Sequence, residues 1–320
     1  MQETASKTSK KIIQDSLRCT LCPRACMVDR IKRVGICGAS RVIRIGRAAL
    51  HWWEEPPLVG SQGSGAIFFS YCPLRCVYCQ NKELAAGSGI EVTPEEFRAL
   101  VLRLQNEEHA ANINLVTPTH YTDRIAPVLR SLKESGELVI PVVYNTSGYE
   151  SEESLAYMEG IVDIYLTDYK YARPDVAQTL SAAPDYPCIA RSALDRMHEQ
   201  VGDPAFDNHG LMTKGVIVRH LVLPGYLDNS YAVLDELKSY ADGRVLFSIM
   251  NQFTSLLSRE ELARYGLDSK VDDHEYDALL DYADELGFGD YFWQEGGACE
   301  ESFIPLFDGT GVKPTAKTKD

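Results

Sequence analysis

The sequence places three cysteines on one short stretch, at Cys72, Cys76 and Cys79. They follow an apolar run, and an aromatic residue, Tyr78, precedes the last of them. A cubane of four irons needs one ligand for each iron, and clusters that carry electrons usually have four cysteines. Three thiolates leave one iron open, as a catalytic zinc keeps an open position. The spacing therefore predicts a 4Fe-4S cluster that does chemistry at its open iron.

Two other kinds of site also use closely spaced cysteines. A structural zinc ion needs a fourth ligand, and the sequence offers none shortly after Cys79. A bacterial ferredoxin has tighter spacing, with two residues between its first cysteines. A zinc site and a non-catalytic electron carrier therefore stay open as alternatives.

A second group of cysteines lies nearer the N-terminus. Its members have the spacing Cys-x2-Cys-x3-Cys-x10-Cys and are Cys19, Cys22, Cys26 and Cys37. Four thiolates suit either zinc or an iron-sulfur cluster, so the spacing predicts a second metal or cluster without choosing between them. Four buried thiols without a metal are a third interpretation. Cys188 and Cys299 stand alone, and we expect both to be small buried apolar residues.

Short apolar runs alternate with amphipathic helical patterns, which is typical of a parallel sheet. The runs that predict strands are 66–70, 113–117, 139–145, 162–168, 216–223 and 245–250. A capping box at 93–96 begins one helix, and further helices are expected over 122–135, from about 229 and over 192–201. Six strand-helix units with right-handed crossovers predict an α/β fold, a (β/α)6 partial barrel.

The pattern divides the chain into three parts. We expect a Cys-rich head over residues 1–60, the partial barrel over 61–308 and a flexible tail over 309–320. The stretch 173–214 is long for a crossover, so we expect it to contain helices and to cover the crevice. Functional residues should gather at the carboxyl ends of the strands, where the loops converge.

The cysteine triplet after a first strand resembles the signature of the radical S-adenosylmethionine (SAM) superfamily. Most of the chain is also similar to the pyruvate formate-lyase-activating-enzyme-like iron-sulfur proteins of that superfamily. The segments that carry this similarity are CTLCPRAC (19–26), GICG (35–38), EEPP (54–57), QGSG (62–65), VTPTH (116–120), YNTSG (144–148), TDYK (167–170) and RHLVLPG (219–225).

The resemblance implies an oxidoreductase that cleaves SAM reductively at the open iron, giving a 5'-deoxyadenosyl radical that abstracts hydrogen. The substrate expected from the subgroup is a glycyl radical enzyme, and a peptide or small metabolite is the second hypothesis. A reducing partner such as flavodoxin or ferredoxin is implied with either substrate. The rival from another class is the non-catalytic iron-sulfur or zinc protein.

The resemblance also nominates residues that bind the cofactor. Asp168 and Lys170 are similar to the Asp-x-Lys of glycyl-radical activases, which lies near the carboxylate of SAM or an associated cation. Arg219 on the next strand could form a bidentate pair of hydrogen bonds with the same carboxylate. Structural ion pairing is the alternative for these three residues. Tyr78 and Asn145 are further predicted contacts.

The contact to the methionyl amine of SAM is the least defined. The superfamily often has a Gly-Gly-Glu-type motif at the end of the second strand, where this chain reads Thr117-Pro118-Thr119-His120. The hydroxyls of Thr117 and Thr119 could accept hydrogen bonds from an ammonium group. His120 is either functional or a core histidine.

Composition excludes several partners. Lys and Arg number 32 against 46 Asp and Glu, a formal net charge of −14, which repels phosphate backbones and predicts no nucleic-acid partner. No apolar stretch approaches the roughly 20 residues of a membrane-spanning helix. Residues 1–17 lack the apolar core of a signal peptide. The sequence therefore predicts a cytoplasmic protein without a membrane partner.

Overall fold

An open mixed sheet organises the computed structural model, which describes residues 18–293 and 305–313. The strands of these residues are, in chain order, β1 (Ile43–His51), β2 (Ser64–Phe69), β3 (Ile90–Val92), β4 (Ile113–Val116), β5 (Val142–Thr146), β6 (Ile164–Asp168), β7 (Ala205–Phe206), β8 (Met212–Leu221), β9 (Leu246–Met250) and β10 (Phe292–Trp293). Their order across the sheet is β10-β9-β8-β6-β5-β4-β2-β1-β3, with β7 paired to β8 beside it.

Helices connect the strands. Within the same residues they are α1 (Pro56–Val59), α2 (Lys82–Ala85), α3 (Pro94–Asn106), α4 (Thr122–Glu134), α5 (Glu152–Met158), α6 (Pro174–Ser181), α7 (Tyr186–Val201), α8 (Leu227–Leu237), α9 (Arg259–Ala263) and α10 (Asp273–Glu285). Short 3-10 turns cover Thr119–Tyr121 and Lys238–Tyr240. No helix in the described part of the chain is long and apolar enough to cross a membrane.

The parallel part of the sheet carries the predicted strands. β2, β4, β5, β6, β8 and β9 pair side by side in the order expected from the sequence, and the short β10 adds a seventh parallel strand. β2, β4 and β5 are buried along their whole length, as parallel strands covered on both faces are. The predicted open α/β sheet of partial-barrel type is confirmed.

Two strand boundaries differ from the prediction for identifiable reasons. β5 begins at Val142 rather than at residue 139, because Pro141 has no N–H to donate to a neighbouring strand. β8 begins earlier, at Met212, because its first residues pair with β7 in an antiparallel ladder. The segment 173–214 contains α6 and α7, and α7 begins at Tyr186, ahead of the predicted residue 192.

Two segments outside the predicted barrel extend the sheet. β1 pairs antiparallel with both β2 and β3, although its sequence lies within the predicted head. Residues 309–311 lie along β1, where Gly309 N donates to Gly46 O at 2.8 Å and Ala48 N donates to Thr310 O at 3.0 Å. The division at residue 60 stays a prediction, and residues 314–320 of the predicted tail lie outside the described residues.

Capping and packing fix the elements that frame the site. Thr93 and Glu96 form the predicted capping box, with Glu96 N donating to Thr93 Oγ1 at 3.1 Å. The chain between β1 and β2 lies at the amino-terminal end of the parallel strands, opposite the end that carries the predicted site. Within this connection, α1 buries Leu58 completely. The residues that surround Leu58 in one apolar cluster are Val143, Ile164, Leu166, Met212 and Ile217. α1 therefore plugs the amino-terminal end of the partial barrel.

Candidate functional site

The three predicted cluster ligands lie on the loop that follows β2, residues 70–81, called here the cysteine loop. Left-handed backbone at Tyr71 (φ 74°) and Arg75 (φ 59°) folds the loop back on itself. Cys79 N donates to Cys76 O at 3.2 Å. Burial, with a smaller effect of the neighbouring thiols, raises the pKa of Cys72 to about 11 and that of Cys79 to about 12. The loop thus gathers three thiols at the carboxyl end of β2.

The donor set of the loop fits a cubane. Within residues 18–293 and 305–313, no three His, Cys, Asp or Glu side chains are placed to bind one metal ion. In a cubane each thiolate binds a different iron, so the three sulfurs need not meet at one point. Lys170 is close enough to lower the pKa of both Cys72 and Cys79, which favours their thiolate forms.

The Cys-rich segment 18–42 holds the cysteine loop in place. The Arg24 guanidinium donates four hydrogen bonds to carbonyl oxygens, at 2.5–3.1 Å; the acceptors are Pro73 and Leu74 of the loop and Ser181 and Ala182 at the end of α6. Arg75 Nη1 of the loop donates in return to Ile36 O at 3.2 Å. A Cβ on Gly38 (φ 97°) would lie 2.8 Å from the Tyr71 ring. Segment and loop are therefore closely packed.

His120 fastens the start of the cysteine loop to the end of β4. Its Nε2 lies 2.8 Å from Ser70 O, and a carbonyl can only accept, so Nε2 carries the proton. Complete burial lowers the pKa of His120 to about 3, so the ring is neutral. Its carbonyl accepts a hydrogen bond from Arg30. The structure therefore gives His120 a positioning contact.

Arg219 of β8 makes hydrogen bonds to side chains at the carboxyl ends of β5 and β6. Its Nε donates to Asp168 Oδ1 at 2.9 Å, and its Nη2 donates to Asn145 Oδ1 at 2.8 Å. Its Nη1 lies 3.2 Å from Glu54 Oε2. β5, β6 and β8 are adjacent strands, which is why residues distant in sequence meet here. The structure brings Asn145, Asp168 and Arg219 together through an ion pair and hydrogen bonds, and their contacts to SAM stay a prediction.

Lys170 completes the group on the side of the cysteine loop. Its Nζ donates to Asp168 Oδ2 at 2.6 Å, and its N–H donates to Tyr186 OH at 2.9 Å. Burial alone would raise the pKa of Asp168, but the charges of Lys170 and Arg219 hold it below its usual value. Asp168 is therefore a carboxylate held between two cations.

Glu54 and Glu55 were not among the predicted site residues. Glu54 Oε1 accepts from Asn114 Nδ2 at 3.0 Å and from Asn145 Nδ2 at 3.2 Å. Burial raises the pKa of Glu55 to about 7, against the lowering effect of Arg219. The two carboxyl groups reach the site because α1, which follows them, plugs the barrel. The segment EEPP (54–57) contributed to the family resemblance, but it gave the two glutamates no position in the fold.

We define the charge network as Glu54, Glu55, Asp168, Lys170 and Arg219. The side chains of Asp168, Lys170 and Arg219 each keep 17% of their surface exposed, whereas those of Glu54 and Glu55 keep 6% and 7%. The three partly exposed residues therefore lie nearer the open, carboxyl end of the strands, and the two more deeply buried glutamates, called here the floor, lie beneath them.

The predicted threonines take two different positions. Thr117 follows β4 with a left-handed backbone (φ 58°), which is strained for a β-branched residue and is found mostly at functional sites. Thr119 is buried, and its hydroxyl donates to Glu150 Oε1 at 2.5 Å. Glu150 also accepts from three further hydroxyls, those of Thr146, Ser154 and Tyr144. The predicted cofactor contacts of both threonines stay predictions.

The remaining candidates are placed as follows. Tyr78 is buried, and its hydroxyl accepts from Tyr171 OH at 2.9 Å. Cys26 and Cys37 lie close together, since a Cβ on Gly35 would be 3.5 Å and 3.2 Å from their sulfurs. The prediction that Cys188 is buried is wrong, because it lies on the exposed face of α7. Cys299 lies outside the described residues.

The fold and the site together define an α/β protein with a three-cysteine loop after its first parallel strand. The family model of the radical SAM superfamily matches residues 66–230, just over half of the chain. The chain belongs to the radical SAM superfamily. Membership implies a 4Fe-4S cluster and SAM as cofactors.

Individual proteins show more distant similarity. An uncharacterized protein of Methanocaldococcus jannaschii is 30% identical over 220 residues, which are 66% of this chain and 58% of that protein. SuiB of Streptococcus suis bound to SAM gives a TM-score of 0.44 at 13% identity, over 70% of this chain and 45% of SuiB. A radical SAM methyltransferase from Sphaerobacter thermophilus gives 0.48 at 12% identity, over 72% and 65%. The chain thus spans less than two thirds of the length of each.

Proposed function

We propose that the protein is a radical SAM oxidoreductase in which Cys72, Cys76 and Cys79 bind the catalytic 4Fe-4S cluster. One observation carries the proposal: the three thiols lie at the carboxyl end of β2 within electrostatic reach of Lys170, which belongs to the charge network. The same crevice therefore offers ligands for a cluster and charged groups for an amino-acid cofactor.

The residues around the crevice have separable tasks. When bound, the cluster and SAM supply a reductive cleavage that yields methionine and a 5'-deoxyadenosyl radical, which abstracts hydrogen from the substrate. Lys170 is a point charge suited to the carboxylate of the methionyl group. Asp168 orients Lys170 and Arg219, since it accepts from both. Tyr78, Thr117, Thr119 and Asn145 are the further proposed contacts to SAM.

A second metal site is part of the proposal. Cys19, Cys22, Cys26 and Cys37 would hold zinc or an auxiliary cluster. The proximity of Cys26 to Cys37 supports a site here, and since no three of the described side chains are placed to bind one ion, a bound metal would draw the four sulfurs closer together. Because Arg24 lies between Cys22 and Cys26 and binds the cysteine loop, metal in this group would stiffen the support of the catalytic loop.

Two substrate classes remain within the proposed chemistry. Activation of a glycyl radical enzyme rests on the Asp168-x-Lys170 similarity to activases and on the pyruvate formate-lyase-activating-enzyme-like segments. Modification of a peptide or small metabolite is favoured by the buried polar floor of the crevice, which suits a small polar group better than a protein backbone. A reducing protein such as flavodoxin or ferredoxin would supply the electron in either case.

The proposal is tested by product analysis. Anaerobic reconstitution with iron and sulfide, followed by dithionite and SAM, should yield 5'-deoxyadenosine, detected by chromatography. Cys76→Ala should abolish the product and lower the bound iron by about four atoms per chain. Cys188→Ala is the matched control, because this exposed thiol lies outside both cysteine groups. A fully loaded protein that forms no 5'-deoxyadenosine contradicts the proposal.

The substrate class is tested separately. Electron paramagnetic resonance (EPR) of a candidate glycyl radical partner, incubated with the reduced holoprotein and SAM, should show a glycyl doublet if the protein is an activase. Isotope transfer from a deuterated peptide or metabolite into 5'-deoxyadenosine supports the modifying enzyme instead.

A further inference from the structure

Two oxygen acceptors on the floor of the crevice have no hydrogen-bond donor. They are Glu55 Oε2 and Asn114 Oδ1, and both atoms are fully buried. Among residues 18–293 and 305–313, these are the only carboxylate or amide oxygens buried without a donor. Burying an acceptor without a partner is unfavourable, so such atoms are rare unless a ligand or water satisfies them.

The neighbours of Asn114 fix the direction of its free oxygen. Its Nδ2 donates to Glu54 Oε1 at 3.0 Å. A flipped amide would place Oδ1 against that carboxylate, and two acceptors would then face each other. Glu54 also accepts from Asn145 and Arg219, and as a carboxylate it has no proton to donate to the Asn114 oxygen. The orphaned oxygen is therefore a property of the network rather than of one rotamer.

Glu55 has a long ion pair with Arg219 but no hydrogen bond within the charge network. Asp168 accepts from both cations, Lys170 and Arg219, and Glu54 accepts from Arg219. Glu55 Oε2 lies 3.9 Å from the nearest guanidinium nitrogen, beyond hydrogen-bonding distance. Three carboxyl groups thus share two cations, and Glu55 is the one left over.

We propose that Glu55 and Asn114 form a subsite for an N–H donor group of the substrate: an ammonium, guanidinium or amide nitrogen. A nitrogen that carries several hydrogens suits a site that offers two unpaired acceptors. The inference rests on the proposed function, because it takes the substrate of that crevice to be the ligand, and it favours a peptide or small nitrogenous metabolite.

Strand register separates this subsite from the cofactor. Asn114 pairs with Ala66 of β2, and the cysteine loop begins four residues later, at Ser70. At roughly 3.3 Å per residue, the backbone of Asn114 lies about 13 Å from the start of the loop, measured along the strands. The methionyl group of SAM belongs at the open iron, so the floor acceptors are left to another molecule.

Ligand-observed NMR tests the subsite without turnover. The SAM-bound holoprotein, without reductant, is mixed with methylammonium or acetamide as N–H donors and with tetramethylammonium or N,N-dimethylacetamide as analogues that lack N–H. Saturation transfer is expected to the donors and not to the methylated analogues. Glu55→Gln should weaken methylammonium binding about 10-fold, since it removes a charged acceptor, and acetamide binding less. Glu199→Gln, on the exposed face of α7, is the control.

The two donors distinguish a cationic substrate group from a neutral amide, and binding of either supports the subsite. Equal signals for donors and methylated analogues, or unchanged binding in Glu55→Gln, would overturn it and leave water as the occupant. In wild-type protein, methylammonium binding should also weaken as the pH falls below about 7 and Glu55 takes up a proton, with Glu54, Asp168, Lys170 and Arg219 as the surrounding charges. Since no step requires cleavage of SAM, failure of the subsite and failure of radical chemistry give different results.

Discussion

At the scale of single residues, the sequence predicted the polar side chains at the ends of parallel strands. It did not predict the two glutamates that the β1–β2 connection places beside them. Asn145, Asp168 and Arg219 were predictable because carboxyl ends of neighbouring parallel strands meet at one edge. Glu54 and Glu55 were not, because their position depends on α1 entering the barrel from the opposite end. Nothing in local propensity encodes such an insertion.

Glu55 should make stability depend on pH. Its pKa is raised to about 7 by burial, so the folded protein binds this proton more tightly than the unfolded chain does. Its contribution is therefore complete below the ordinary glutamate pKa and is lost as the pH rises through about 7. The surrounding charges are those of Glu54, Asp168, Lys170 and Arg219. Thermal unfolding of the holoprotein should show a falling midpoint over this range.

Glu55→Gln provides the control for that titration, because it keeps the shape and removes the proton. The variant should lose the part of the pH dependence between about 4.5 and 7 that Glu55 contributes, while burial also raises the pKa of Glu54, Asp123 and Glu150. A variant whose midpoint still falls as steeply as that of the wild-type protein would assign the effect to another group.

Arg219→Met should destabilise the fold strongly. The substitution leaves Asp168 and Glu54 buried without their shared partner, and breaking a buried ion network in this way costs about 3–5 kcal/mol. Denaturant unfolding measures the loss. Arg244→Met removes an exposed ion pair with Asp242 and should change the midpoint little. If the two substitutions lowered the unfolding midpoint equally, Arg219 would not be the residue that stabilises the charge network.

At the scale of elements, the cysteine loop shows what spacing can and cannot predict. The triplet and the preceding strand identified the loop, because both are local features of the sequence. The left-handed residues Tyr71 and Arg75 and the carbonyl contacts of Arg24 depend on packing between distant segments. The sequence alone could therefore nominate the ligands but not the supports that hold them.

Arg24→Ala should loosen the cysteine loop without removing a ligand. It deletes four hydrogen bonds to the loop and to the end of α6. Iron should then pass to an external chelator faster than in the wild-type holoprotein, in a spectrophotometric assay of the bound cluster. Arg33→Ala, at an exposed position of the same segment, is the control. An unchanged rate of iron loss would show that Arg24 does not support the cluster site.

At the scale of the whole molecule, hydrophobic patterning predicted the parallel sheet, since six buried apolar runs can pack only as covered strands. It did not predict the antiparallel pairing of β1 with β2 and β3, because the choice of partner strands depends on contacts between segments distant in sequence. The contact of residues 309–311 with β1 was not predicted either. A glycine-rich segment near a terminus has the composition of a flexible tail, and only its hydrogen bonds to β1 show that it is ordered.

The central claim is that three cysteines leave one iron of the cluster open to SAM. EPR of the anaerobically reduced protein, recorded before and after addition of SAM, tests it most directly. We expect a 4Fe-4S signal that changes when SAM binds, and we expect this SAM-dependent signal to be absent in Cys72→Ala, Cys76→Ala and Cys79→Ala. A signal that SAM leaves unchanged, from a cluster with a fourth ligand supplied by the chain, would contradict it.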